Sequence, residues 1–432
     1  MQTKDRGITP AQFLAGIKPE EASTVTWSLI YTGSLFFAYY VLRPIRDELG
    51  VASGVSSLPW LFTSALVAMI ILNPMYGYLV RRFTRQQVIS ISYRCFSISL
   101  AGITAVLAVS SDAHNILAGR IFFIWVSVFN LFVVSVFWSF IQDIFDSEQG
   151  KRLFGILAAG STIGGLLGSA LTASLFENAG RTWLIIIAII LIEFAVLASR
   201  KASLASSKHL TVAQQQIAFT PIGGGVFSGI GRTFKSPHLL GLALFILLYS
   251  ITSAFLYLQQ ASYADASLTT STERTIFFAN IELWVHATTL FFQIFLTGRF
   301  MAKMGVLVTL CSLPIVSTLG FAALATNPTV CVFIIAQVVR RVTNFALTRP
   351  AKEILFTGRT REDRYKAKTF IDTVIYRSGD QVGSWGYASL MCMGLGTGQI
   401  AAVGIPLSLA WLALSAWLGS RHIVETQDAP QP

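Results

Sequence analysis

Apolar residues run along this chain in long blocks, and polar residues collect in the connections between them. A helix needs roughly 20 apolar residues to cross the hydrocarbon core of a bilayer, and about twelve blocks reach that length. The first six cover residues 24–43, 58–80, 88–109, 116–142, 153–176 and 182–199. The second six cover residues 239–260, 276–297, 305–325, 329–348, 370–393 and 400–419. The pattern predicts an all-α membrane protein with twelve transmembrane helices in two six-helix bundles. Residues 1–23 read as a cytoplasmic amphipathic N-terminal segment and 24–199 as the first bundle. Residues 200–236, the longest polar stretch, read as a central cytoplasmic loop, 237–420 as the second bundle and 421–432 as a C-terminal tail.

Basic residues set the expected orientation, because Lys and Arg stay on the cytoplasmic side. They cluster after span 2 (Arg81, Arg82, Arg85), after span 6 (Arg200, Lys201, Lys208, Arg232, Lys235), after span 8 (Arg299, Lys303) and after span 10, where Arg349 and Lys352 begin the run. Both termini are therefore expected in the cytoplasm, and the formal charge of +11 is mostly topology. The N-terminus does not read as a secretory signal: Asp5, Glu20 and Glu21 interrupt it and no apolar core precedes span 1. Thr9–Pro10 followed by Phe13, Leu14 and Ile17 fits a short helix on the membrane surface. A bacterial inner (plasma) membrane and a monomer are the expected setting.

Composition narrows the classes. Hydrophobic residues make up 53% and charged residues 12%, about half the ~25% charged of a soluble domain. An ordinary soluble enzyme and a nucleic-acid-binding module are excluded. The four cysteines lie inside apolar blocks with neither metal-ligand nor disulfide-framework spacing. No P-loop, G-x-S-x-G or metal-spaced His/Asp cluster is found, so neither an ATP-driven pump nor a membrane enzyme is expected, and no cofactor.

The two halves echo each other at a shift of about 214 residues, as internally repeated transporters do. Leu42 maps on Leu256 and Glu148 on Glu362, while Gly164 and Gly168 map on Gly379 and Gly383 one residue further on. The echo favours a major-facilitator architecture, two bundles around a central cavity. Gly160, Gly164 and Gly168 recur at four-residue spacing, which lets helix backbones approach closely.

Ionisable residues inside spans are costly and usually face a cavity or a partner. Span 1 ends Tyr39-Tyr40-Val41-Leu42-Arg43-Pro44-Ile45-Arg46-Asp47, and Arg43 and Asp47 stand i,i+4 and can pair. Span 8 carries Glu282, His286, Thr289 and Gln293 on one face. Span 10 carries Gln337, Arg341, Asn344 and Thr348 on one face with Arg340 beside it. A guanidinium is a permanent planar fork suited to phosphate or carboxylate, so the two arginines form an anion-site candidate; structural salt bridges to Glu282 or Asp372 are the alternative. Span 11 carries Asp372, Tyr376, Arg377, Gly379 and Asp380. Arg43, Arg46, Glu282, His286, Arg340, Arg341 and Asn344 are the candidate substrate contacts. Asp47, Asp372, Arg377 and Asp380 are the candidate gating or salt-bridge partners.

Four stretches carry a resemblance: Gly16–Glu21, Tyr40–Asp47, Phe278–Trp284 and Tyr365–Gly379. They resemble the ATP:ADP antiporter family, the nucleotide transporters of plastids and obligate intracellular bacteria with their bacterial relatives. The resemblance spans nearly the whole chain and implies a major-facilitator fold and, as in studied members, nucleotide exchange. Three positions depart from the family pattern. The first motif usually ends in Lys-Asp, here Arg46-Asp47. Span 4 usually holds an acidic residue; here Asn130 is its main polar residue. Span 11 usually has Leu-Gly-Lys, here Ser378-Gly379-Asp380. The expected function is a secondary transporter of a small organic anion by alternating access, with ATP/ADP-type exchange as the sharpest version. An exporter of a siderophore or drug-like compound and a non-transporting membrane receptor are the alternatives.

Overall fold

The computed structural model describes residues 17–109, 112–145, 147–206, 228–356 and 367–427. The expected surface helix around Phe13 and most of the central loop lie outside them. The helices are α1 (Ala22–Ala52), α2 (Leu58–Arg82), α3 (Arg85–Val109), α4 (Asp112–Ile144), α5 (Ser147–Ser206), α6 (Ser228–Lys235), α7 (Pro237–Ser267), α8 (Ser271–Phe295), α9 (Thr297–Thr326) and α10 (Val330–Thr343). A π-helical turn, Asn344–Thr348, leads into α11 (Arg349–Ile354). After α12 (Lys368–Phe370) a second π-helical turn, Ile371–Ile375, leads into α13 (Tyr376–Cys392), and α14 (Thr397–Gln427) follows.

Ten helical stretches among the described residues are long and apolar enough to cross a membrane. They accommodate the twelve expected spans in two ways. Spans 5 and 6 both lie in α5, where Gly180 (φ 71°, ψ 174°) interrupts the helix with a backbone that only glycine adopts without strain. Span 11 is fully helical, but Lys368, Asp372, Arg377 and Asp380 hold it below the apolar threshold. Ser236 Oγ caps α7 by accepting from the Leu239 amide, with Pro237 at the first helical position. In-span hydroxyls such as Thr32, Thr172 and Ser317 bond the carbonyl four residues back, which satisfies them without water.

The chain divides into two compact units. The first is drawn from Met1–Ser53, Val67–Ile222 and Thr270–Leu283, the second from Gly54–Leu66, Gly223–Thr269 and Trp284–Pro432. The units are therefore not simple sequential halves. In the first, Tyr31 centres an aromatic core: its hydroxyl lies 2.6 Å from that of Tyr93, and its ring meets Phe140 edge-on. In the second, Trp411 packs against Phe245 and Tyr249. Large apolar side chains such as Ile98, Leu319 and Ile335 remain exposed, as lipid-facing positions require.

The glycine echo is a packing echo. A Cβ on Gly164 would stand 2.4 Å from the Gly33 carbonyl oxygen, and one on Gly168 would stand 2.6 Å from that of Phe37. In the second unit, a Cβ on Gly379 would stand 2.9 Å from the Leu247 carbonyl, and one on Gly383 would stand 2.8 Å from that of Ile251. Leu247 and Ile251 follow Gly33 and Phe37 at the same 214-residue shift. So α1 meets α5 as α7 meets α13, backbone against backbone. Gly164→Ala is expected to cost about 1–3 kcal/mol or more, as overpacking does, and to lower the melting temperature of the purified protein. Gly155→Ala, which meets nothing within 4 Å, is expected to be neutral or slightly stabilising, since alanine is the better helix former by ~1 kcal/mol. Equal melting temperatures for the two variants would remove the close-contact explanation.

Candidate functional site

The first unit gathers four of the expected residues. Arg43 Nη2 lies 3.3 Å from Glu282 Oε1, closer than the 3.9 Å between its Nε and Asp47 Oδ2. Asp47 instead accepts from Arg46 Nε at 2.8 Å. The expected Arg43–Asp47 pair thus yields to a tertiary pair with α8. The guanidinium of Arg43 sits over the Tyr40 ring and that of Arg46 over Phe123, at 5.6 and 5.1 Å. Asp47 and Glu282 are almost wholly buried. Two cations and two anions therefore balance, which is how buried charge is tolerated. A second pair ties the same two helices: Arg274 Nη2 donates to Glu48 Oε1 at 3.2 Å. Sequence reading passed over Glu48 and Arg274, although a carboxylate beside Asp47 and an arginine just before the charged span 8 were the available signals.

The second unit arranges its charges differently. Arg340 is 4% exposed. Its Nε donates to Ser317 Oγ (3.1 Å), and Nη2 reaches the Tyr249 carbonyl (3.3 Å), Thr252 Oγ1 (2.9 Å) and Ser253 Oγ (3.0 Å). The Tyr249 ring lies beneath it at 5.4 Å. All these partners are neutral, and Arg340 makes no ion pair among the described residues. The alternative salt bridge to Glu282 or Asp372 is not formed by Arg340: Glu282 is engaged by Arg43, and Asp372 by Lys352 at 2.7 Å. Asn344 Nδ2 donates to Tyr249 Oη at 2.9 Å, so one tyrosine serves both residues.

Phe345 is a second focus. Arg341 and Arg349 lie over its ring at 5.7 and 4.6 Å, and the His286 ring lies nearly parallel to it, at 12° and 6.4 Å. The expected stripe of Gln337, Arg341, Asn344 and Thr348 is buried throughout and runs into the π-helical turn Asn344–Thr348. Its extra residue shifts the register after Thr343, a distortion that recurs at functional sites. Glu282 pairs with Arg43, while the His286 ring lies against Phe345. In α13, Arg377 donates to Asp380 Oδ2 at 3.1 Å and Ser250 Oγ to Asp380 Oδ1 at 2.6 Å. Gly379 and Gly383 make room for α7.

Charge buried in this way within apolar helices marks a polytopic membrane transporter. The family model described as Major Facilitator Superfamily matches residues 23–351. The chain belongs to the major facilitator superfamily of secondary membrane transporters. It is 23% identical to ADP,ATP carrier protein 1 of Chlamydia trachomatis over 94% of this chain and 89% of that one. The carrier of the same name from Chlamydia muridarum matches to the same extent. The resemblance to the ATP:ADP antiporter family thus runs nearly end to end. Among solved structures it resembles a bacterial homologue of the iron transporter ferroportin in an inward-facing state, with TM-score 0.62 and 10% identity over 92% of this chain and 98% of that one. It also resembles an auto-inhibited peptide transporter of the POT family, with TM-score 0.61 and 12% identity over 95% and 98% of the two chains. The nucleoside transporter NupG gives TM-score 0.56 and 15% identity over 92% and 99%.

Breaking one side of a buried pair leaves an uncompensated charge, at a cost of about 3–5 kcal/mol. Glu282→Gln is expected to destabilise the protein by an amount in that range. Combining it with Arg43→Gln is expected to recover part of the loss. Strict additivity in this double-mutant cycle, read by thermal unfolding, would mean that the pair contributes no coupling.

Proposed function

We propose that this chain is a secondary transporter of an organic anion, working by alternating access with both termini in the cytoplasm of a bacterial cell and the helices in its inner membrane. The observation that carries the reading is Arg340, a permanent cation buried among neutral dipoles with no carboxylate paired to it among the described residues. A buried charge usually has an opposite charge beside it, and an anionic cargo supplies one transiently. Arg341, the next residue, and His286 extend the basic character of the same unit. Arg43 contributes in a second way: its pair with Glu282 is one that an arriving anion can exchange for itself. A ligand moves a two-state protein only by binding one state better than the other, and such partner exchange provides the difference.

Exchange of nucleotides is the finer version, supported by the Chlamydia carriers named ADP,ATP carrier protein 1. One observation favours a different organic anion. Where the family resemblance leads to a lysine, this chain has Asp380, engaged by Ser250 and Arg377.

A ligand that binds only the folded state raises the unfolding free energy by about 2.7 kcal/mol at a hundredfold excess over Kd. Thermal-shift measurements on the detergent-solubilised protein with nucleotides, phosphorylated metabolites, carboxylates and siderophores are expected to find a stabilising anion, and Arg341→Ala is expected to lose that shift while remaining folded. Stabilisation by ADP or ATP selects exchange of nucleotides. Stabilisation confined to neutral or cationic compounds would overturn the reading.

A further inference from the structure

The dipeptide Arg-Pro occurs twice in the chain, and both times the same pattern follows it. Arg43-Pro44-Ile45-Arg46-Asp47-Glu48-Leu49 closes span 1, and Arg349-Pro350-Ala351-Lys352-Glu353-Ile354-Leu355 closes span 10. The shared form is arginine, proline, a buried apolar residue, a base, an acid, any residue, then leucine. Burial agrees at the matched positions: Ile45 and Ala351 are at most 1% exposed, and Leu49 and Leu355 at most 6%.

The surroundings agree as well. Each arginine lies over an aromatic ring from the turn before it: Arg43 over Tyr40 at 5.6 Å, Arg349 over Phe345 at 4.6 Å. Each motif anchors itself to another helical segment by two ion pairs. The first uses Arg43–Glu282 and Glu48–Arg274, both with α8. The second uses Lys352–Asp372 and Lys368–Glu353, reaching the second π-helical turn and α12. The arginines themselves differ. Arg43 is paired with a buried carboxylate. Arg349 is exposed, and among the described residues it makes neither an ion pair nor a hydrogen bond; it lies over the Phe345 ring. A guanidinium over a ring, engaged by no carboxylate, has its planar N–H fork available to grip a carboxylate or phosphate in two places.

We propose that Arg349 is a second substrate-anion-binding arginine, the span 10 counterpart of Arg43 in span 1. One motif holds its arginine paired with Glu282, while the other presents an exposed arginine. Arg341 also lies over the Phe345 ring, at 5.7 Å, so one ring gathers two guanidiniums that can meet the same anionic group. The ligand class is an anion with at least two acceptor oxygens on one centre, a phosphoryl or carboxylate group.

The proposal rests on the anion-transport reading above, and the test separates the two. The full-length detergent-solubilised protein is titrated with ADP, ATP, pyrophosphate and citrate while its melting temperature is followed, as wild type and as Arg349→Gln and Arg349→Lys. For whichever probe stabilises the wild type, Arg349→Gln is expected to weaken apparent affinity by about tenfold or more, the usual effect of losing a charge-assisted hydrogen bond. Arg349→Lys, which keeps the charge, is expected to recover part of it. The melting temperature without ligand is expected to stay at the wild-type value in both. Wild-type affinity in Arg349→Gln would overturn the role of Arg349 and leave anion transport standing. A lowered unliganded melting temperature that lysine does not restore would make Arg349 structural and overturn the proposal. Failure of all four probes to stabilise the wild type would overturn the proposal for this ligand class, leaving the wider anion screen to judge the transport reading.

Discussion

A charge taken out of water has to be answered inside the protein, and most of the internal organisation of this chain follows from how each charge is answered. An unpaired ion in a low-dielectric interior costs several kcal/mol even after relaxation. The first unit answers with opposite charge. Arg43 and Arg46 face Asp47 and Glu282, and Arg274 faces Glu48, so every member has a counter-ion within 4 Å. The second unit answers Arg340 with hydroxyls, a carbonyl and a ring. Dipoles solvate a cation without cancelling it. The first arrangement is closed to an anion until a pair opens, whereas the second keeps a positive field available.

Those answers depend on helices that meet at fixed height and rotation. Gly164 and Gly168 bring α5 onto the backbone of α1, and Gly379 and Gly383 bring α13 onto α7. A close crossing of this kind tolerates little sliding, because a carbonyl oxygen occupies the space a Cβ would need. Ser250, Asp380 and the Tyr376 carbonyl meet beside the Gly379 crossing, so the polar cluster of the second unit sits on a close backbone contact. On α1, the crossing at Gly33 and Phe37 fixes the turns that carry Tyr40 and Arg43.

The sequence made much of this legible, and the exceptions share a cause. Spans could be read because a bilayer imposes length and apolarity on every crossing. The glycine echo could be read because a steric requirement admits one residue type. Arg43, Asp47, Glu282, Arg340 and Asp380 stood out because charge in a span is rare. What could not be read was which charges meet. Helical spacing suggests Arg43 with Asp47, but the α1–α8 packing gives Arg43 to Glu282. Nor does spacing reveal a π-helical turn. The extra residue at Asn344–Thr348 depends on tertiary packing. Arg349 did not stand out: beside Pro350 at the end of an apolar block it reads as a topogenic loop charge, and the helix continues through it to Ile354.

The Arg43–Glu282 pair also sets a condition on any anion-transport mechanism. An anion that takes Arg43 from Glu282 strands a carboxylate that is 2% exposed, at a cost of about 3–5 kcal/mol if nothing else changes. Displacement in place is therefore unfavourable, since moderate affinities amount to only ~8 kcal/mol in total at micromolar Kd. The cost is removed if α8 moves so that Glu282 meets water or another cation as the anion arrives. Arg274 on the same helix would then leave Glu48 in the same event, because the two pairs join the same two helices. On the proposed function, anion binding and release of α8 from α1 are two descriptions of one step. The pair that stabilises the resting arrangement is then also what makes the change of state conditional on cargo.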